Sequence, residues 1–241
     1  MLETGSKKLY TYRLSIRVAA DGFSLSTYRD GKILQREDTE LEAGADLYAL
    51  LRHALTRPRI MDLRFEEVWL LADTETTLLP LDEFRTSDAA AVFRLNFPNA
   101  NFAATELRHE ILAPQEVVLL YGLSTRTEQV VRQSYPDVQL RSLQGALIEA
   151  SAQQVGRGDA KRLFAYIGPQ RMTVCLFARG KFLFSGSYTA ATDSDRVYYL
   201  LAAWRSLNLD VQRDELILSG ASESLGKMLG RYISHLSETK E

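Results

Sequence analysis

"LSIRVAADGFSLSTYRDGKILQRE", Leu14–Glu37, meets "LFAYIGPQRMTVCLFARGKFLFSG", Leu163–Gly186, when the chain is slid against itself by 149 residues. Leu14 falls on Leu163, Leu34 on Leu183, and Gly31-Lys32 on Gly180-Lys181. Identity is thin, but the pattern repeats. A short β-rich run reaches a turn, Ala19–Gly22 or Gly168–Arg171, and an alternating run follows, Phe23-Leu25-Thr27 or Met172-Val174-Leu176. A second turn then carries glycine, "RDG" or "ARG", before a third β-rich run. Such turns suit hairpins because glycine takes positive φ without a Cβ clash.

The register carries outward from the hairpins. Asp46 opens "DLYALLRHAL" and Asp195 opens "DRVYYLLAAW", each an amphipathic helical pattern with an acid where the helix dipole favours one. "EEVWLL" from Glu66 and "ELILSG" from Glu215, again 149 apart, read as short strands buried on both faces. Each unit therefore reads β-β-β-α-β, and the strand–helix–strand step implies parallel pairing within a mixed sheet. Trp69, Leu70, Ile217 and Leu218 are the expected central-strand core.

Extra material, at about residues 74–113, separates the copies. "TTLLPLDEF" from Thr76 suggests a strand ending at proline, Ala89–Phe97 a short helix stopped by Pro98, and "ATELRHEIL" a further strand. The core pattern resumes with "EVVLLYG" from Glu116, a helix near Ser124–Tyr135 and a strand near Val138–Arg141. A helix rich in small residues, "LQGALIEASAQQ", leads through the linker "VGRGDAKR" into the second copy. "SGASESLGKMLGRYISHL" closes the chain with one more strand–helix step and a last short strand.

A duplicated hairpin unit with an insertion in its first half resembles the actin-like ATPase (ribonuclease H-like) superfamily, and among its members the pilus-assembly and cell-division actin homologues. The features are "FEEVWLLADTETTLLPL" before the inserted piece, and "LQGALIEASAQQ" where that superfamily places its connecting helix. The opening "LSIRVAADGFSLSTYRDGKIL" is more closely similar to a bacterial family of uncharacterised proteins assigned an actin-like fold. The resemblance implies an α/β protein of two duplicated units, each a mixed sheet with flanking helices: residues 1–155, with the insertion, and 156–241. It also implies a nucleotide site, with Asp-x-Gly at each first hairpin turn to meet phosphates and Mg²⁺. Here the matching stretches are Arg17-Val18-Ala19 and Tyr166-Ile167-Gly168, and both acids are gone. Asp21-Gly22 lies slightly later, and Ser219-Gly220-Ala221 keeps one glycine of the family's adenosine-side pair. Arg17, Asp21, Gly22, Gly168, Gly220 and Ser222 are therefore the candidate nucleotide- or anion-binding residues, and none is assigned a catalytic role.

Other residues read structurally. Ser222, in "SGASES", suits a strand-to-helix turn better than an anion site, and Asp21-Gly22 a plain hairpin turn. Asp193, Ser194 and Asp195 read as helix capping rather than a carboxylate pair. His53, His109 and His235 lie too far apart for a metal motif. Cys175, the one cysteine, is mid-strand and reads as a small buried hydrophobe. Tyr198, Tyr199 and Trp204, at helical spacing, read as core, and "RPRIMDLR" from Arg57 as a solvated connector.

Composition excludes several function classes. The 241-residue chain is 46% hydrophobic and 25% charged, with net charge −2. This gives no basic footprint for nucleic acid. A single cysteine offers no intrachain disulfide. The N-terminus, "MLETGSKKLYTY", lacks an apolar signal core, and the longest apolar run, Tyr198–Trp204, falls far short of the roughly 20 residues that span a bilayer. The expectation is a cytoplasmic pseudo-ATPase, without cofactor or metal, acting through a protein partner or self-association. The alternative is an ATP-dependent phosphotransferase or ATPase with a nucleotide cleft between the halves.

Overall fold

In the computed structural model, residues 12–57, 60, 63–100, 102–103, 106–156 and 158–239 are described. The first quoted stretch is an antiparallel meander of β1 (Tyr12–Ala19), β2 (Gly22–Arg29) and β3 (Lys32–Glu40). Its echo is β9 (Arg162–Ile167), β10 (Arg171–Ala178) and β11 (Lys181–Thr189), with strand edges displaced by the same 149 residues at β2/β10 and β3/β11. The likeness reaches backbone detail. Asp30-Gly31 have φ 51° and 76°, and Arg179-Gly180 have φ 52° and 77°. Two consecutive left-handed residues are the I′ hairpin, whose twist matches the flanking strands. Each hairpin then has a bulge at the same step, between Thr27 and Tyr28 on β2 and between Leu176 and Phe177 on β10. Leu34 and Leu183 are the extra residues opposite it, and both are exposed.

After β3, Asp46 caps α1 (Leu47–Leu55) by accepting the N–H groups of Tyr48 and Ala49. The chain returns as β4 (Glu67–Asp73), parallel to β1. It then leaves this sheet for β5 (Thr76–Pro80), α2 (Ala89–Asn96), β6 (Leu107–Leu112) and β7 (Val117–Gly122), which pair in the order β5-β7-β6. The inserted piece thus runs on through β7, a strand the sequence pattern assigned to the resumed core. An apolar run shows that a strand is buried, but not which sheet it joins. α3 (Thr125–Ser134) and β8 (Gln139–Ser142) complete a five-stranded sheet, β3-β2-β1-β4-β8.

α4 (Leu143–Gln154) precedes the second meander, and α5 (Asp193–Ser206), β12 (Glu215–Ser219), α6 (Glu223–Leu229) and β13 (His235–Glu238) follow it. Their sheet has the order β11-β10-β9-β12-β13, with β12 parallel to β9 and to β13. The ladders also correct the register. Arg13 faces Glu67 and Arg162 faces Glu215, so Glu67, not Glu66, is the counterpart of Glu215 and the offset falls to 148. Asp46 is an N-cap whereas Asp195 is the third residue of α5's capping box, which Thr192 opens. Pairing fixes strands, while loops and helix ends absorb insertions.

Two compact units build the molecule. One holds the described residues of Met1–Thr74, Phe102–Glu106 and Gly122–Arg141, and the other those of Glu75–Asn101, Leu107–Tyr121 and Ser142–Glu241. In the second unit both faces of the sheet are covered. Leu163, Val174, Leu216 and Leu218 pack with Leu200 and Trp204 of α5 and with Leu225 and Leu229 of α6. Phe164, Cys175, Phe177 and Ile217 pack with Ile148 of α4 and with Leu112 and Leu119. In the first unit Leu14, Ile16, Val18, Leu25 and Leu70 are buried on one face. Alternation places Arg13, Arg17, Tyr28 and Trp69 on the other. Trp69 is only half-buried there, stacked beside the Arg13 guanidinium at 4.4 Å, so it is not the core residue expected. Tyr198 likewise departs, being 68% exposed, while Trp204 is buried. In "RPRIMDLR", Pro58, Arg59, Met61 and Asp62 lie outside the described residues, as does Met1–Thr11, which includes most of the N-terminal stretch; Arg57 pairs with Glu37 at 3.1 Å.

Candidate functional site

At the tip of the first hairpin, Ala19 pairs with Gly22, leaving Ala20-Asp21 as a two-residue turn. β3 ends level with Gly22, at Glu40, and the next residue, Leu41, donates its N–H to the Asp21 carbonyl at 2.8 Å. Gly22 has φ 142°, and a Cβ there would collide with the Thr39 carbonyl oxygen. The glycine is demanded by the close approach of a strand.

Arg17, three residues before the turn, is buried against Asp73, which ends β4 opposite Ala19 in the parallel ladder. Arg17 Nε donates to Asp73 Oδ2 at 2.8 Å. Nη2 lies 2.5 Å from the same oxygen and 3.8 Å from Asp21 Oδ1. Neither Nη2 nor Asp21 Oδ1 has hydrogen-bond geometry, so these contacts are electrostatic rather than directed. Taking both ions from water is costly, and the pair persists because each supplies the other's counter-charge. The guanidinium is thus committed to a carboxylate of its own chain.

The second tip is a separate cluster. Gly168 N–H donates to the Arg171 carbonyl at 2.8 Å, closing the turn over Pro169-Gln170. Arg196, on α5, donates through Nη2 to the carbonyls of Gly168 and Pro169, both at 3.1 Å, and through Nη1 to Asp193 Oδ1 at 2.8 Å. Ser222 caps α6 by accepting the Leu225 N–H at 3.0 Å, and its hydroxyl donates to Asp193 Oδ2 at 2.8 Å. Gly220, two residues earlier, takes φ 72° in the turn leaving β12. The Ser222 hydroxyl, then the Arg196 guanidinium, hold the Asp193 carboxyl below its ordinary range, so it is an anion at neutral pH with both oxygens engaged. The structure therefore joins Gly168 and Ser222 through Arg196 and Asp193. Arg17 and Asp21 gather with Asp73, while Gly22, the next residue, lies against Thr39 and Glu40 of β3.

Sequence reading missed Asp73 and Arg196. Asp73 is the acid that ends the apolar run "VWLLAD", and Arg196 stands three residues after Asp193. Both signals are common on ordinary strands and helices. Cys175 is buried, 3.4 Å from the Ser185 hydroxyl, and burial pushes its thiol up to about 12, beyond the offsetting Ser185 and Ser151 hydrogen bonds. A thiolate is the reactive form, so this is packing chemistry. Among the described residues no group of three or more His, Cys, Asp or Glu side chains is placed to hold a metal ion, and no helix is long and apolar enough to cross a membrane.

Two five-stranded sheets of equal strand order, with an inserted subdomain between their elements, define a protein of the actin-like ATPase fold. Within that class the chain belongs to the DUF3822 family of proteins of unknown function, whose profile matches residues 3–236. It is similar to a crystal structure from Bacteroides thetaiotaomicron VPI-5482, a protein with actin-like ATPase fold and unknown function. Identity is 26% over 95% of this chain and 91% of that one, with a TM-score of 0.79. It is also similar to a chain of a PilM-PilN type IV pilus biogenesis complex, at 13% identity, 95% and 88% coverage and a TM-score of 0.51. The ethanolamine utilization protein EutJ from Carboxydothermus hydrogenoformans matches at 8% identity, 94% and 84% coverage and a TM-score of 0.53. No curated protein matches the chain.

Proposed function

We propose that this chain is a non-catalytic, cytoplasmic actin-like protein that acts through protein–protein contact, built by duplication about a boundary near residues 155/156. The observation that carries the reading is Arg17 locked to Asp73 at the first hairpin tip. Phosphoryl transfer depends on positioning phosphates and neutralising their charge, mainly through Mg²⁺ and its carboxylates. Here a guanidinium stands near the tip, the nearby buried carboxylate is spent on it, and Gly22 serves a neighbouring strand. At the second tip, Arg196 engages the turn carbonyls and Asp193 engages the α6 cap. The PilM neighbour is named in a complex with PilN, which supports a partner-binding use of this fold by analogy only.

The second reading, an ATP-dependent phosphotransferase or ATPase, rests on Asp21, whose side chain is 27% exposed beside the tip. Thermal unfolding with and without Mg²⁺-ATP, alongside phosphate release, separates the two. A ligand at 100 times its Kd stabilises the native state by about 2.7 kcal/mol. The expected result is no rise in Tm at millimolar nucleotide, with phosphate release at background in wild type and in Asp21→Ala alike. A clear rise, with turnover that disappears in Asp21→Ala, overturns the non-catalytic reading.

A further inference from the structure

The two outer hairpin strands occupy the same place in their sheets and carry opposite chemistry. β3 reads Gln35-Arg36-Glu37-Asp38-Thr39 where β11 reads Phe184-Ser185-Gly186-Ser187-Tyr188. β11 ends its sheet, so one side pairs with β10 and the other pairs with no strand among the described residues. Between Lys181 and Asp193 there is no charged residue. Natural sheets guard such edges with charges, prolines or bulges. β11 has only the bulge at Leu183, and from Phe184 to Tyr188 its ladder with β10 runs without interruption.

The unguarded segment is a palindrome in kind: aromatic, serine, glycine, serine, aromatic. We propose that β11 is a self-association edge, pairing antiparallel with β11 of a second copy about Gly186. That register sets Phe184 opposite Tyr188 of the second copy, Ser185 opposite its Ser187, and Leu183 opposite its Thr189. The aromatics lie on the same face as Gly186. The Phe184 ring already leans over Gly186, and Tyr188 stacks on Tyr199 with ring centroids 5.2 Å apart. The two aromatics thus stand on either side of Gly186, and aromatic cross-strand pairs are among the stabilising ones. The lone charge helps: in this register the two copies of Lys181 stand at opposite ends, about 30 Å or more apart at some 3.4 Å per residue. The same operation on β3 sets Glu37 against itself, where like charges directly opposite are destabilising, with Arg36 facing Asp38 on either side as a partial offset.

A single strand edge falls in the small-interface class, below about 1,200 Å², so the dimer is weak, micromolar or looser. The proposal rests on the reading that this chain acts through protein contact, but its test uses no nucleotide, so either can fail alone. Sedimentation of the full chain should show monomer at low micromolar concentration and dimer at a hundredfold higher. Leu183 and Thr189 are both exposed, so changes there spare the fold. Leu183→Lys/Thr189→Lys sets lysines opposite each other at both ends, and should stay monomeric throughout. Leu183→Cys/Thr189→Cys should be joined by a short thiol-to-thiol cross-linker, while either single variant should not, its two thiols being about 20 Å apart. Cys175 is buried and keeps the background silent. Concentration-independent monomer overturns the proposal. So does a dimer that survives the double lysine variant, or single variants that cross-link as well as the double.

Discussion

Arg17 stands where the resemblance leads one to expect an acid, and its partner shows why the exchange is stable. With Arg17 6% and Asp73 8% exposed, each buried charge is stabilised by the other. Arg17→Met takes the guanidinium from a buried carboxylate and should cost about 3–5 kcal/mol in urea unfolding. Asp73→Leu should cost a similar amount, and the double variant should recover most of the loss, since a well-packed apolar pair can replace a buried ion pair. A single-variant loss within about 0.5 kcal/mol would mean that the pair is solvated. That residue 17 is an arginine and not an acid is plain in the sequence. Its partner is not, because nothing local marks a contact 56 residues away.

Two helices were read well from local pattern. Ser124 and Tyr135 flank α3, and α4, which Ser142 caps through the Gly145 N–H, coincides with "LQGALIEASAQQ". What was not legible is how α5 and α6 are tied, because Asp193 and Ser222 meet only through the turn after β12. The Asp193 carboxyl is held low in the folded state, chiefly by Ser222, so its contribution is complete above the ordinary carboxylate range and is lost as pH falls through that range toward the folded value. Ser222→Ala should cost about 1 kcal/mol near neutral pH, from the lost cap and the lost partner together. Thermal unfolding of the variant and wild type should show the gap narrowing at about pH 3, below the ordinary Asp value near 3.9. A gap independent of pH would leave only the cap. Tyr198 shows the limit of helical periodicity, which finds an apolar stripe without saying how wide a neighbour covers it.

At the scale of the molecule the second sheet is buried on both faces, and Leu218 and Ile217 report on one face each. Leu218→Ala and Ile217→Ala should each cost about 2–5 kcal/mol by chemical denaturation, the range for truncating a buried aliphatic side chain. If Ile217→Ala proved silent, the α4 side would not be a packed core. In the first sheet the corresponding position holds Trp69, half-buried among arginines, so the two halves share strand order while one face differs in chemistry. The hairpins, the helices and the 149-residue echo were written in the sequence because turn residues and short-range periodicity act within a few residues of chain. Only the tertiary structure decided that β7 joins the inserted sheet, that Gly22 yields to a passing strand, and that Arg17 and Arg196 are already taken. Each of these depends on groups distant in sequence competing for one buried place, and that contest is settled by packing and desolvation rather than by local pattern.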